Sequence, residues 1–212
     1  LEAYKRGVMQ KLFSRALRFK DDQGRDFPDW EEKRLGDVFD WVRTNSLSRD
    51  RLTYEGGKVQ NIHYGDIHTK FHANFKQRLE DVPFILGAKV ADFAKSDFCQ
   101  LGDVVIADAS EDYADIGKAI EIVELGPVPL VAGLHTYIAR PKNGSVVLGF
   151  AGYLLRSATM RAQIMRIAQG ISVLGISKGN LEKLTLELPH PDEQQKIASF
   201  LASIDTQITA VT

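Results

Sequence analysis

Near the end of the chain, apolar positions recur at a helical spacing. Ile197, Leu201, Ile204, Ile208 and Val211 follow at steps of 4, 3, 4 and 3, an a/d seam that suits a helix packed lengthwise on another helix. Two prolines in Leu188-Pro-His-Pro close the strand-like run before it. Asp192, with Gln195 three residues on, predicts a capping box at the helix start. At the other end of the chain, Leu1, Tyr4, Val8 and Leu12 make one apolar face of a helix reaching about Phe13, with basic residues on its other faces.

Between these helices the period shortens. Residues 27–38 predict a turn at Pro28 and a short element ending at Gly36, with Trp30, Leu35 and Val38 as core anchors. Residues 43–58 read as a polar loop around one short helix, 59–67 as strand then turn, and 84–90 as another strand. Leu101-Gly-Asp-Val-Val-Ile-Ala-Asp predicts a turn and a buried strand that enters an acidic loop at 109–117. Residues 119–125 alternate as a half-exposed strand, and 130–133 and 136–140 are strands around His135. One helix is predicted over 150–167, a glycine-spaced loop over 169–178, and a last alternating strand over 181–189. Strands and helices mix without regular βαβ alternation, so the fold class is α+β.

The chain's 212 residues suffice for one sizeable core. No apolar run approaches the roughly 20 residues of a membrane span, and no signal-peptide pattern opens the chain. The single Cys99 cannot form an internal disulfide and reads as a small buried hydrophobe in a reducing compartment. A net charge of −1 does not mark a basic nucleic-acid binder, but the charge is uneven. Arg140, Lys142, Arg156, Arg161, Arg166 and Lys178 meet no acidic residue between 140 and 179, whereas 103–124 holds seven acidic residues against Lys118. Such polarity can present a positive face to phosphates.

Catalytic motifs are absent. There is no Gly-x4-Gly-Lys-Ser/Thr, no G-x-G-x-x-G, and no Pro-Pro for a base-methylase loop. Asp103, Asp108, Glu111, Asp112 and Asp115 could supply carboxylates to Mg²⁺, which leaves a Mg-dependent DNA nuclease using the acidic loop 108–115 as the alternative reading. His68 and His72 would lie four apart on a helix beside His63, but Tyr64-Gly-Asp-Ile reads as strand and turn, which breaks zinc geometry. No metal is expected.

Binding chemistry is denser. Loops 43–51, 61–76 and 169–178 combine amides, hydroxyls, His and Arg/Lys with glycines, the groups that contact base edges and phosphates. The candidate DNA-binding residues are Arg43, Thr44, Asn45, Ser46, Arg49, His63, Tyr64, Asp66, His68, Lys70, Asp108, Ser110, Tyr113, His135, Ser172, Ser177 and Lys178. Arg156, Arg161 and Arg166 join them as phosphate contacts if they face outward.

Several stretches taken together resemble the specificity (S) subunit of type I restriction–modification enzymes. They are Leu1-Glu-Ala-Tyr-Lys-Arg-Gly-Val-Met-Gln-Lys-Leu-Phe, Phe27-Pro-Asp-Trp-Glu-Glu-Lys-Arg-Leu-Gly-Asp-Val, Leu101-Gly-Asp-Val-Val-Ile, Gly179-Asn-Leu-Glu-Lys-Leu and Leu188-Pro-x-Pro-x-Glu-Gln-Gln-Lys-Ile-Ala-x-Phe-Leu. Their order and spacing cover nearly the whole chain.

The resemblance implies a mixed α/β target-recognition domain at 21–190. It would be flanked by the end of a central helix at 1–20 and the start of a distal one at 191–212, both forming coiled coil. It further implies a non-catalytic chain that reads one half of a bipartite double-stranded DNA site and docks methylation (M) subunits. Motor/restriction (R) subunits complete the enzyme. S-adenosylmethionine, ATP and Mg are implied for those partners and no cofactor for this chain; the location implied is cytoplasmic, with no membrane partner. With only one recognition domain, the chain resembles the second half of a full subunit or a half-length subunit that dimerises through its helices.

Overall fold

The computed structural model describes residues 1–142 and 144–210. Its centre is a five-stranded sheet in the order Phe39–Val42, Thr136–Pro141, Val104–Ala107, Ala119–Glu124, Asn74–Lys76. All pairs are antiparallel except the last, where Asn74–Lys76 runs parallel to Ala119–Glu124. A four-stranded sheet lies beside it, ordered Leu130–Ala132, Gln60–Ile62, Phe84–Ile85, Leu52–Thr53. Two small antiparallel pairs complete the ladder, Glu31–Arg34 with Thr185–Leu188 and Ala109–Ser110 with Leu174–Gly175. The α+β class follows directly, with a helix at each end, Glu2–Phe13 and Pro191–Thr209.

The terminal helices are built into the main core. Val8, Leu12 and Phe13 share one apolar cluster with Trp30, Leu35, Val38, Ile197, Leu201 and Ile204, so the three predicted anchors and the first three seam positions are buried as expected. Ile208 packs on the same cluster at partial burial; Val211 lies outside the described residues. Leu1 and Tyr4, assigned to the N-terminal apolar face, are instead exposed. The partner helix meets only the last two turns of that face.

Between the terminal segments, contacts run in antiparallel order. Lys5 pairs with Asp205, the Phe19 and Phe200 rings lie 5.7 Å apart, and Lys196 pairs with Asp22 at 2.6 Å.

Four local expectations change. The C-terminal helix is capped by His190, whose Nδ1 accepts from the Asp192 N–H at 3.3 Å, rather than by an Asp192–Gln195 box. Pro191 supplies the first helical φ, so the helix starts earlier than the box requires. The predicted helix over 150–167 is two helices, Ala151–Arg156 and Ala158–Ile167. Ser157 breaks them with extended backbone while its Oγ accepts from the Met160 N–H. Residues Tyr64–Thr69 form a helix, not a turn, because His63 caps it by accepting from the Gly65 N–H at 3.1 Å.

The fourth change concerns Ala119–Glu124, whose first four residues are all buried. The alternation implies one wet face, but the helix Ala151–Arg156 covers it. Gly152 permits that approach: a Cβ there would stand 2.5 Å from Asn74 Oδ1. Glu121, 1 % exposed, takes hydrogen bonds from the N–H groups of Gly149 (2.6 Å) and Gly152 (2.8 Å). Burial raises its pKa from 4.5 to about 7, against the lowering effect of those N–H groups.

Because the folded state holds this proton more tightly than the unfolded chain, stability should fall as pH rises from about 4.5 to about 7 and then level off. The full change is on the order of 3 kcal/mol. Urea unfolding at pH 5 and pH 7.5 checks this, with Glu121→Gln expected to flatten the difference. An equal slope in both proteins would assign the pH dependence elsewhere.

Candidate nucleic-acid interface

The loops singled out by composition converge where the two larger sheets meet. Thr44 Oγ1 donates to Thr136 O at 3.1 Å, and the Asn45 N–H to Ala132 O at 3.0 Å, which lays the 43–48 loop beside the turn carrying His135. The strand pair Ala109–Ser110 with Leu174–Gly175 brings the 172–178 loop to the same edge. There the Ile176 N–H donates to Asp108 O at 2.9 Å.

Side chains of these loops then contact one another, on a partly buried base. Arg49 grips the buried Asp66 carboxylate with two bonds of 2.8 and 2.9 Å, which raises the guanidinium pKa. His63 Nδ1 accepts from both the Gly65 N–H and Arg49 at 3.1 Å. Burial first, and Arg49 second, lower its pKa to about 4, so the ring is neutral at physiological pH. The Tyr64 ring stands 4.6 Å from His63, 5.8 Å from His68 and 5.3 Å from His135. His68 donates from Nε2 to Ala109 O at 3.0 Å, and burial lowers its pKa too.

Beyond His135, burial first and the nearby Asp108 carboxylate second raise the pKa of Tyr137. The Tyr137 ring meets Trp41 edge-on at 5.6 Å, and the Lys178 ammonium lies 5.6 Å above Trp41. On the other flank Lys70 donates to the Tyr54 hydroxyl at 2.9 Å.

Trp41, Tyr137 and Tyr54 are absent from the sequence-derived set. Aromatic rings beside cations are the surfaces on which bases stack, and Phe39-Asp-Trp-Val immediately before the Arg43 loop was the available signal. A cleft of about 540 Å³ adjoins the surface, lined in part by Arg43, Ser46, Arg51, Leu86 and Phe93.

Other candidates turn out to be supports. Asn45 uses its amide on Asn61 Oδ1, Ala132 O and the Leu47 N–H. Thr44 is tied to Thr136, Ser110 is buried and accepts from the Asp112 N–H, and Ser177 caps the helix Lys178–Leu181. Arg156 faces inward, donating to Ala119 O (2.8 Å) and Phe71 O (3.2 Å), and burial lowers its pKa to about 10. A guanidinium so placed does not meet phosphate. Arg161, partly buried, braces the acidic loop through Ala114 O at 3.1 Å. Arg166, Ser172 and Tyr113 are exposed, but among the described residues no hydrogen bond, ion pair or ring contact joins them to the cluster.

The acidic residues do not converge as a metal site. Asp103 pairs with Arg140, Asp108 with His135 and Asp115 with Lys118. Among the described residues no group of three His, Cys, Asp or Glu side chains could hold a metal. His72 lies beyond the Tyr64–Thr69 helix and pairs with Glu80 at 2.9 Å, so it does not join His68. Cys99 is buried, which raises its thiol pKa. Among the described residues no helix is long and apolar enough to cross a membrane.

Fold and site thus define an α+β domain with packed terminal helices and an open edge of Arg, Lys, His and aromatic side chains. Residues 28–212 match the model of the type I restriction modification DNA specificity domain, and the chain belongs to that family. The type I restriction enzyme MjaVIII specificity subunit of Methanocaldococcus jannaschii is 26 % identical over 219 residues, covering 98 % of this chain and 48 % of that one. The MjaX specificity subunit named in the same archaeon is 25 % identical over 210 residues, covering 96 % and 46 %. Among solved structures, the HsdS subunit from Thermoanaerobacter tengcongensis shares the fold with a TM-score of 0.60 at 18 % identity, covering 98 % of this chain and 45 % of that one. The chain spans about half the length of the curated relatives it matches.

Proposed function

We propose that this chain reads one half of a bipartite double-stranded DNA site for a type I restriction–modification enzyme. In this reading residues 21–190 are the recognition domain, and 1–20 and 191–212 are helical segments that set its place in the assembly. The chain carries out no chemistry. Methylation subunits dock on it and use S-adenosylmethionine; motor subunits use ATP and Mg. A second recognition domain, in the same polypeptide or in another copy joined through the helices, supplies the other half-site. The setting is the cytoplasm.

The observation that carries the reading is the run of side chains from Lys70 and Tyr54 through Arg49, His63 and Tyr64 to His135 and Asp108, with Tyr137, Trp41 and Lys178 grouped alongside. It joins cations, rings and hydrogen-bonding groups at one sheet edge, as base and phosphate contact requires. Family membership and the names of the archaeal relatives support it. Nothing in the site favours the nuclease alternative.

Methylation mapping in a host that expresses the chain with methylation subunits should yield one defined half-site, and methylation without a sequence pattern would refute the reading. Lys178→Ala tests the electrostatic part. Its side chain is about half exposed, so the variant should bind the same half-site more weakly, with a log K–log salt slope flatter by about one. Arg161→Ala should leave that slope unchanged.

A further inference from the structure

The antiparallel ladder between Val104–Ala107 and Thr136–Pro141 carries an aspartate–base pair at each end. At one end Asp103 and Arg140 are closed off, with the carboxylate fully buried. At the other, Asp108 and His135 open to solvent, the histidine side chain 47 % exposed. The Asp108 N–H donates to His135 O at 3.0 Å, so the backbone holds the two residues opposite each other.

The side-chain contact, at 3.1 Å, runs from His135 Nδ1 to Asp108 Oδ1. A carboxylate only accepts, so Nδ1 carries a proton, and in the Nδ1–H tautomer Nε2 is an acceptor. Among the described residues Nε2 has no partner. The other two histidines of the cluster differ, since His63 is buried with Nδ1 doubly engaged and His68 uses Nε2 on Ala109 O.

Three features fix the direction of the His135 ring. Asp108 holds one nitrogen, Tyr64 stands against it edge-on, and the backbone has φ +57°, a left-handed conformation that favours glycine.

We infer that His135 reads a base directly, accepting a hydrogen bond at Nε2 from an exocyclic amino group in the major groove, adenine N6 or cytosine N4, with Asp108 as its positioning residue. The inference rests on the DNA-reading function proposed above and names the contact within it.

The test is a protein–DNA coupling cycle. The half-site duplex is selected from a randomised pool by the chain co-expressed with methylation subunits, then resynthesised with purine for adenine, or 2-pyrimidinone for cytosine, at each position in turn. For the wild type, deleting one particular amino group should weaken binding about tenfold. For His135→Gly, which suits the left-handed backbone and so keeps the fold, the same deletion should cost nothing further. Asp108→Ala should shrink the coupling, and Asp108→Asn, whose amide oxygen still accepts from Nδ1–H, should restore it.

Coupling to a 7-deazapurine instead would make the ring a donor and overturn the assignment. Discrimination of the half-site with no deletion coupled to His135 would overturn it as well. Failure of the wild type to select any sequence would reject the underlying DNA-reading function, and the inference with it.

Discussion

An Arg18→Ala variant is expected to lose about 3–5 kcal/mol of stability, the cost of leaving a buried charge without its partner. Glu193 is fully buried and takes bonds from Arg18 at 3.1 and 2.7 Å and from Trp30 Nε1 at 3.1 Å. Arg18 also donates to Pro28 O at 2.6 Å. One carboxylate on the C-terminal helix therefore ties together the segment after the N-terminal helix and the Trp30 anchor. Glu193→Gln should cost less, because an amide oxygen can still accept from Trp30 and carries no charge to strand. Urea unfolding of the three proteins checks this. A loss below about 1 kcal/mol in Arg18→Ala, the range of exposed ion pairs, would show that the pair does not hold the terminal segments.

A comparable loss, again about 3–5 kcal/mol, is expected from Arg140→Ala. Asp103 is fully buried, bonded twice by Arg140 at 2.8 Å and once by the Gln100 N–H at 2.7 Å. Arg140 also reaches Phe98 O at 3.0 Å. Removing both charges together, as Asp103→Asn with Arg140→Met, should cost less than Arg140→Ala alone, since no carboxylate is then left unpaired. If the double variant were the less stable, the pair would be contributing attraction beyond mutual neutralisation. This clamp also anchors the far end of the ladder on which His135 and Asp108 face each other, so its loss should also disturb the base contact proposed for His135.

These two pairs explain why the family was legible in the chain. Phe27-Pro-Asp-Trp, Leu101-Gly-Asp-Val and Pro-x-Glu-Gln-Gln contribute Trp30, Asp103, Glu193 and Gln194, each of them an internal tie. Gln194 accepts from the Val147 N–H at 2.9 Å and donates to Pro189 O at 2.9 Å. The stretches that carry the resemblance build the frame. The residues proposed to read DNA lie between them, on loops without such a signature.

Local pattern was least informative where a long-range contact overrode it. The alternation of Ala119–Glu124 is that of a half-wet strand until the helix Ala151–Arg156 covers its polar side. The 150–167 run keeps a helical period across Ser157, whose hydroxyl cap nonetheless breaks it. Tyr64-Gly-Asp-Ile looks like a turn because glycine weakens any helix reading, and the His63 cap is a property of the folded segment.

The α+β class, the terminal helices with most of their apolar seam, the buried strand after Leu101-Gly-Asp and the loops rich in contact chemistry were all legible in the chain. All of these follow from residue type and short-range period. Which polar side chains remain available was set by the folded neighbourhood. Arg156 and Lys178 are indistinguishable as members of one basic stretch, yet the first is taken up by two backbone carbonyls and the second rests open above Trp41. Arg49 and Asp66, or His135 and Asp108, are paired across 17 and 27 positions. A side chain's free hydrogen-bonding capacity is set by the neighbours that folding brings to it, and those neighbours lie beyond the reach of any local period.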